Sequence, residues 1–157
     1  MYKRIIASGQ QETGSPEQGW LNVEDIAEVE ITSEDAAHPI ESALLPGLAS
    51  GWRAAGPGKQ TIRLLFAHPQ PLRRIWLKFV EPRAERTQEY VLSWSADGGK
   101  SYREIVRQQW NFSPQGAPSE TEDHHVELPA VTALELSIIP DTSGGNAVAS
   151  LARLRLA

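Results

Sequence analysis

Five tryptophans, four histidines and a run of basic residues in the middle third carry most of the chemical potential of this 157-residue chain. The segment Trp110-Asn111-Phe112 sets two aromatic rings around an amide, just before a polar stretch, Ser113 to Asp123, rich in Pro, Ser and Glu. Aromatic faces stack on the apolar side of a sugar ring while amides and guanidinium groups bond its hydroxyls, which makes Arg107, Gln108, Gln109 and Asn111 suitable companions. Arg53, beside Trp52 at a predicted turn, is a further available donor. A ligand is therefore expected at Arg53, Arg107, Gln109, Trp110, Asn111 and Phe112, with Ser113 to Asp123 as a surface loop. The alternative use of Trp110 and Phe112 is to pin that loop to the body of the protein or to cover Trp76.

Catalytic and metal chemistry finds little support. His124 and His125 fall in a predicted strand, where neighbouring side chains point to opposite faces and cannot chelate one ion together. His125 is expected in solvent between Asp123 and Glu127, and His124 partly buried beside Val126. His38 and His68 sit next to prolines in predicted turns and offer no zinc spacing. With no cysteine there is no disulfide, thiolate ligand or cysteine nucleophile. No G-x-S-x-G turn or recognisable Ser-His-Asp grouping occurs. The paired carboxylates Glu24-Asp25, Glu34-Asp35 and Glu122-Asp123 lie in acidic segments expected to be wet, which gives no reason for a raised pKa. No glycine loop leads into a helix to cradle a phosphate. The expectation is a protein without catalytic residues, metal or cofactor.

The net charge of −5 hides an uneven distribution. Residues 1–49 carry two basic against nine acidic residues, 50–110 carry eleven against five, and 111–157 carry two against six. The basic third either forms an anion-binding surface from Arg63, Arg73, Arg74, Lys78, Arg83 and Arg86, or lies beside acidic strands that neutralise it. An acidic domain is a poor match to nucleic acid. Residues 1–10 lack the apolar run of a signal peptide or membrane span, so the cytoplasm is the expected location. At this length one domain can bury about two-thirds of its unfolded surface.

The elements that position these residues read as strands. Ile62, Leu64 and Phe66 share one face, as do Ile75, Leu77 and Phe79, with Arg74, Trp76 and Lys78 on the opposite side. Tyr90, Leu92 and Trp94 form a third inward set, and Val126 with Leu128, Leu134 with Leu136 and Ile138, and Leu154 with Leu156 continue the pattern. Between them lie Pro46-Gly47, Gly56-Pro-Gly58, His68-Pro-Gln-Pro71, Asp97-Gly-Gly99, Pro140-Asp141 and Ser143-Gly-Gly145. Asp97-Gly98-Gly99 supplies the positive φ angles of a tight hairpin. A short helix or turn has room near Val23 to Ala27 or Ile40 to Leu45. Such short strands without a crossover helix indicate an all-β, two-sheet antiparallel sandwich, a single domain over 1–157.

The order of these elements resembles the discoidin or coagulation-factor type C family, within the galactose-binding-domain-like group. Ser50-Gly-Trp-Arg53 before Gln60 to Phe66 resembles that family's tryptophan turn and opening strand. Pro71 to Leu77 is similar to its second central strand, Tyr90 to Gly98 to its strand and S-x-D-G hairpin, and Leu134 to Pro140 with Ala149 to Leu156 to its closing pair. The match covers roughly residues 26–157, leaving 1–25 as an N-terminal strand and extension. It implies a jelly-roll-like sandwich of eight strands whose end loops bind sugars, lipid head groups or proteins, with Trp52 as a packing plug. Carbohydrate is the first ligand class it implies. The alternative is an intracellular protein-interaction module whose contact is the outward strand face at Trp76, Arg74 and Lys78. Carbohydrate-binding relatives often hold calcium with an acidic residue before the tryptophan turn and a glutamate near the last strand. Pro46 to Gly51 and Ser150 to Arg153 supply no carboxylate, and no calcium is expected there.

Overall fold

The computed structural model describes residues 19–48 and 50–157. Its elements run α1 (Val23–Ile26), β1 (Ala27–Ile31), α2 (Glu41–Leu44), β2 (Trp52–Pro57), β3 (Gln60–Val80), β4 (Arg86–Ser95), β5 (Arg103–Phe112), β6 (Ser119–Ile139), β7 (Val148–Leu151) and β8 (Arg153–Leu156). Both helices are single turns at the two places where short helices had room. Residues 1–18, which carry most of the expected N-terminal strand and extension, lie outside the described residues; from Trp20 to Ile26 the chain forms α1 and no strand.

All strand pairings are antiparallel, and β3 and β6 are long enough to serve two layers. One layer runs β1, the first half of β3, the second half of β6, β4 and β5. The other consists of β8, the second half of β3 and the first half of β6. The β3–β6 register breaks three times between Leu65 and Arg74, around Pro69 and Pro71, whose missing N–H groups cannot serve a continuous ladder. The layers meet face to face: the Phe79 and Tyr90 rings lie 5.2 Å apart, and Tyr90 Oη is 2.7 Å from His124 Nε2. The inward residues predicted from alternation, Ile62, Leu64, Phe66, Ile75, Leu77, Phe79, Tyr90, Leu92, Leu134, Leu136, Ile138, Leu154 and Leu156, are all buried. Val126, Leu128 and Trp94 depart from this set: all three pack against the core but are only half-buried, Trp94 at the end of β4.

Two turns fix the frame. Gly51 has φ +72°, and a Cβ there would meet the Leu151 carbonyl oxygen at 2.9 Å, so only glycine lets β2 approach β7. The next residue, Trp52, is 1% exposed and donates its indole N–H to the Ser33 carbonyl at 3.0 Å. In the β4–β5 hairpin Gly98 and Gly99 take positive φ as expected. The Asp97 carboxylate accepts from Ser101 Oγ (2.6 Å), Ser95 Oγ (2.7 Å) and the Ser101 N–H (2.9 Å), which holds it well below the usual carboxylate range.

The charge blocks neutralise one another. Arg63 on β3 bonds Glu30 on β1 and Glu135 on β6, and Arg74 forms a fork with Asp123. The outward face of β3 is also partly roofed by the chain itself. The Arg74 guanidinium lies 4.7 Å from the Trp20 ring, which ties the N-terminal segment down, and Arg155 donates to the carbonyls of Ala43 and Leu45 at the end of α2. Trp76, opposite Arg155 in the ladder, is half-buried between these covers.

The polar stretch before β6 is shorter than the sequence suggested. Ladder pairing with β3 extends β6 back to Ser119, so residues 119–123 are strand, and alternation turns Glu120, Glu122 and His124 inward. His125 points out and is 74% exposed at its side chain. Glu120 is 1% exposed, and its carboxyl accepts a long hydrogen bond from Gln88 Nε2 at 3.4 Å. Burial first, and the adjacent Glu122 carboxyl second, push its pKa up to about 8. Glu120 belongs to none of the carboxylate pairs singled out in the sequence, and it is the ladder with β3 that carries it into the interior.

The folded state binds a proton at Glu120 that the unfolded chain releases near its ordinary pKa of 4.5, so this group's contribution to stability falls as pH rises from about 4.5 to about 8. Glu120→Gln, which keeps the shape without the charge, should gain roughly 1–3 kcal/mol over the native protein at alkaline pH. Urea unfolding of both proteins at about pH 7 and about pH 9 checks this. Parallel curves at the two pH values would refute it.

Candidate functional site

Three segments converge at one end of the sandwich: the start of β4, the end of β5 and the loop that follows β6. Glu85, Arg86, Thr87, Asn111, Phe112, Asp141 and Ser143 line an open cleft of about 430 Å³ there, a size that admits a small ligand.

Its floor is built from buried groups. The Arg86 side chain is 2% exposed and reaches three elements: Nε donates to Glu81 Oε1 (2.7 Å), Nη1 donates to the Pro140 carbonyl (2.6 Å), and the guanidinium lies 4.7 Å over the Phe112 ring. Burial alone would raise the Glu81 carboxyl, but the Arg86 guanidinium and the Arg83 N–H bond it and hold it below the usual range. Guanidinium and carboxylate thus stay charged and fixed, and the loop between β3 and β4 is stapled to the loop after β6.

The rim is polar and held in place. Thr87 Oγ1 donates to Asn111 Oδ1 at 2.7 Å, an arrangement that turns the Asn111 amide N–H groups away from this bond and leaves them to donate. Asp141 Oδ1 accepts from the Ser143 N–H (3.1 Å) and Ser143 Oγ (2.8 Å), which keeps the carboxylate below its usual range and ionised. The Thr142 N–H donates to the Thr87 carbonyl and locks the loop onto β4. The rim therefore offers a fixed acceptor at Asp141, an exposed carboxylate at Glu85 and a donor at Asn111, which suits a ligand rich in hydroxyl groups.

The six expected ligand-binding residues are distributed over four places. Strand β5 continues to Phe112, so Trp110-Asn111-Phe112 is not a loop segment, and the period of two divides it. Phe112 faces inward at 2% exposure and forms part of the cleft floor, while Asn111 faces outward on the rim. Trp110 also turns inward and packs against the core, its indole nitrogen buried without a hydrogen-bond partner among the described residues. Arg107 and Gln109 share the outward face with Asn111, further along β5, and both contact Glu89. Arg53 is on β2, exposed, outside the cleft lining; its backbone pairs with Asp35 and His38, and His38 Nδ1 is 3.4 Å from Asp35 Oδ2.

Sequence reasoning missed Arg86, Thr87, Asp141 and Ser143 as members of one site. Arg86 was read only among the basic residues of the middle third. Pro140-Asp141-Thr142-Ser143 carried a detectable signal, an Asp whose side chain bonds the backbone two residues on, but this marks a turn rather than a ligand. Among the described residues no group of three or more His, Asp or Glu side chains is placed to hold a metal ion. No described helix is long and apolar enough to cross a membrane.

No protein-family model and no curated protein sequence matches the chain. Solved structures do. The family 32 carbohydrate-binding module of AlyQ in complex with 4,5-unsaturated mannuronic acid matches with a TM-score of 0.62 at 16% identity, over 85% of this chain and 95% of that one. The family 32 module from C. perfringens NanJ in complex with galactose matches with a TM-score of 0.64 at 14% identity, over 87% and 96%. Chitosan-binding module 1 of a chitosanase/glucanase from Paenibacillus sp. IK-5 matches with a TM-score of 0.61 at 14% identity, over 87% and 98%. At such identities the likeness concerns the backbone: the chain has the galactose-binding-like β-sandwich fold that these carbohydrate-binding modules share.

Proposed function

We propose that this protein is a non-catalytic carbohydrate-binding module that receives a saccharide in the end cleft. The observation that carries the reading is the cleft itself: a rim with two oriented hydroxyl partners, Asn111 and Asp141, and the Glu85 carboxylate, over a floor held still by Arg86 and Phe112. Pre-oriented polar groups spare the ordering cost that weakens binding by flexible side chains. The sequence resemblance to the discoidin or coagulation-factor type C family supports a site at an end of the sandwich, since that family binds through end loops. The saccharides named with the similar structures, galactose among them, support the ligand class. The rival reading, a protein contact on the outward face of β3, is disfavoured because Arg74 and Arg155 on that face are engaged by the chain itself.

Asn111 and Trp110 separate a binding role from a packing role. Asn111→Ala should weaken saccharide binding by about 1–2 kcal/mol, the value of a hydrogen bond or two, with the melting temperature nearly unchanged. Trp110→Ala should do the reverse, since its ring packs on the core. A glycan array identifies the saccharide and calorimetry measures both variants. Retention of no saccharide by the array, or full affinity in Asn111→Ala, would overturn the assignment.

A further inference from the structure

The outward face of β4 does not stop at the cleft. Thr87, Glu89, Val91 and Ser93 all turn onto it, and β5 sets Asn111 beside Thr87, Gln109 beside Glu89 and Arg107 beside Val91. On the other flank β6 sets Ile139 beside Glu89, Ser137 beside Val91 and Glu135 beside Ser93. The rung Thr87–Asn111 belongs to the end cleft, and the next rungs border a second hollow of about 200 Å³ that Lys59 closes on one side. The two hollows are therefore successive stretches of one face, three strands wide. From Thr87 to Ser93 the strand rise makes this face about 20 Å long.

Its chemistry is that of a chain of hydroxyls. Glu89 is held ionised by Arg107 at 2.8 Å and Gln109 at 3.4 Å, with its side chain only 14% exposed, so its carboxylate is fixed in the floor. Val91 and Ile139 supply apolar surface between the polar rungs. Among the described residues, the Ser93 and Ser137 hydroxyls and the Lys59 ammonium have no side-chain partner. Fixed acceptors, free hydroxyls and short apolar stretches in alternation match a saccharide chain, whose rings present C–H faces and hydroxyl edges in turn.

We infer that the end cleft and this furrow form one track that takes an extended oligosaccharide of several rings rather than a single terminal sugar. The inference rests on the carbohydrate reading above and assigns Arg107 and Gln109 to the wall of the track beyond Asn111.

Calorimetry with two sugar ladders tests it: galactose with its β-1,4-linked oligomers, and N-acetylglucosamine with its β-1,4-linked oligomers, each from monomer to hexamer. In the native protein the longer members of one ladder should bind at least about tenfold more tightly than its monomer. Ser93→Tyr places a ring in the furrow at a position where strands accept aromatic residues. It should bring the ratio of hexamer to monomer affinity down to about one. Ser137→Tyr, on the neighbouring strand, should do the same and serves if the first variant melts early. Equal affinity for all lengths, or a length dependence that survives both substitutions, overturns the track while leaving the end-cleft reading intact. Failure of every saccharide of both ladders to bind overturns the track, and the end-cleft reading then stands or falls with the glycan array.

Discussion

Arg86→Ala is expected to destabilise the protein by about 3–5 kcal/mol, the usual consequence of leaving one partner of a buried ion pair alone. The guanidinium is nearly inaccessible and its contacts belong to different elements: Glu81 on the loop before β4, the Pro140 carbonyl after β6, and the Phe112 ring at the end of β5. Removal leaves Glu81 with only the N–H groups of Arg83 and Ala84, and leaves the Pro140 carbonyl without its donor. Arg86→Lys should recover little, because an ammonium is a point charge and cannot serve a carboxylate, a carbonyl and a ring face from one plane. The double substitution Arg86→Met with Glu81→Leu should recover much of the loss, since an apolar pair of similar volume carries no uncompensated charge. Urea denaturation gives the three values. A loss below about 1 kcal/mol in Arg86→Ala, the level of a surface pair, would show that Arg86 does not hold the cleft. On the proposed function, saccharide affinity should fall with stability in Arg86→Ala and remain low in the rescued double variant, because in both the guanidinium that ties Phe112 to the loop after β6 is gone.

Trp52→Ala should cost a similar amount, about 3–5 kcal/mol, for a different reason. Trp52 is among the largest fully buried side chains, at the point where β2 leaves the Gly51 turn and pairs with β7. Truncation opens a cavity that the surrounding strands cannot close, because Gly51 already fixes the backbone against Leu151 and Ala152. It also leaves the Ser33 carbonyl without the indole donor. Against a total stability of about 5–15 kcal/mol for a single domain, this places the variant near unfolding at moderate temperature. Trp52→Phe separates the two contributions. It retains most of the ring and loses the hydrogen bond, and should cost only about 1–2 kcal/mol. Thermal melts of both variants check the order. A smaller loss for Ala than for Phe would exclude Trp52 as a packing plug.

The central strands, most of their inward faces and the hairpin at Asp97 to Gly99 were determined by sequence alone, and the physical reason is locality; the plug at Trp52 was implied only by the family resemblance. Alternation of side chains has a period of two, and a glycine at positive φ announces itself by type. Composition left two readings of the basic third open, and strand pairing decides for neutralisation at Arg63, which meets Glu30 and Glu135 across adjacent strands, and at Arg74, which meets Asp123. The site was only partly legible. Asn111 and Phe112 line the end cleft, but the ladder with β4 makes residues 110–112 a strand, and the same alternation that identified other strands sends Trp110 and Asn111 to opposite faces. The loop reading of Ser113 to Asp123 failed because strand pairing, not composition, extends β6 to Ser119 and buries Glu120 against β4. Only the tertiary structure could bring Arg86, Phe112 and Pro140 together. Their contact depends on which strands are neighbours and in what register, and residues so far apart in the chain carry no local pattern that records either.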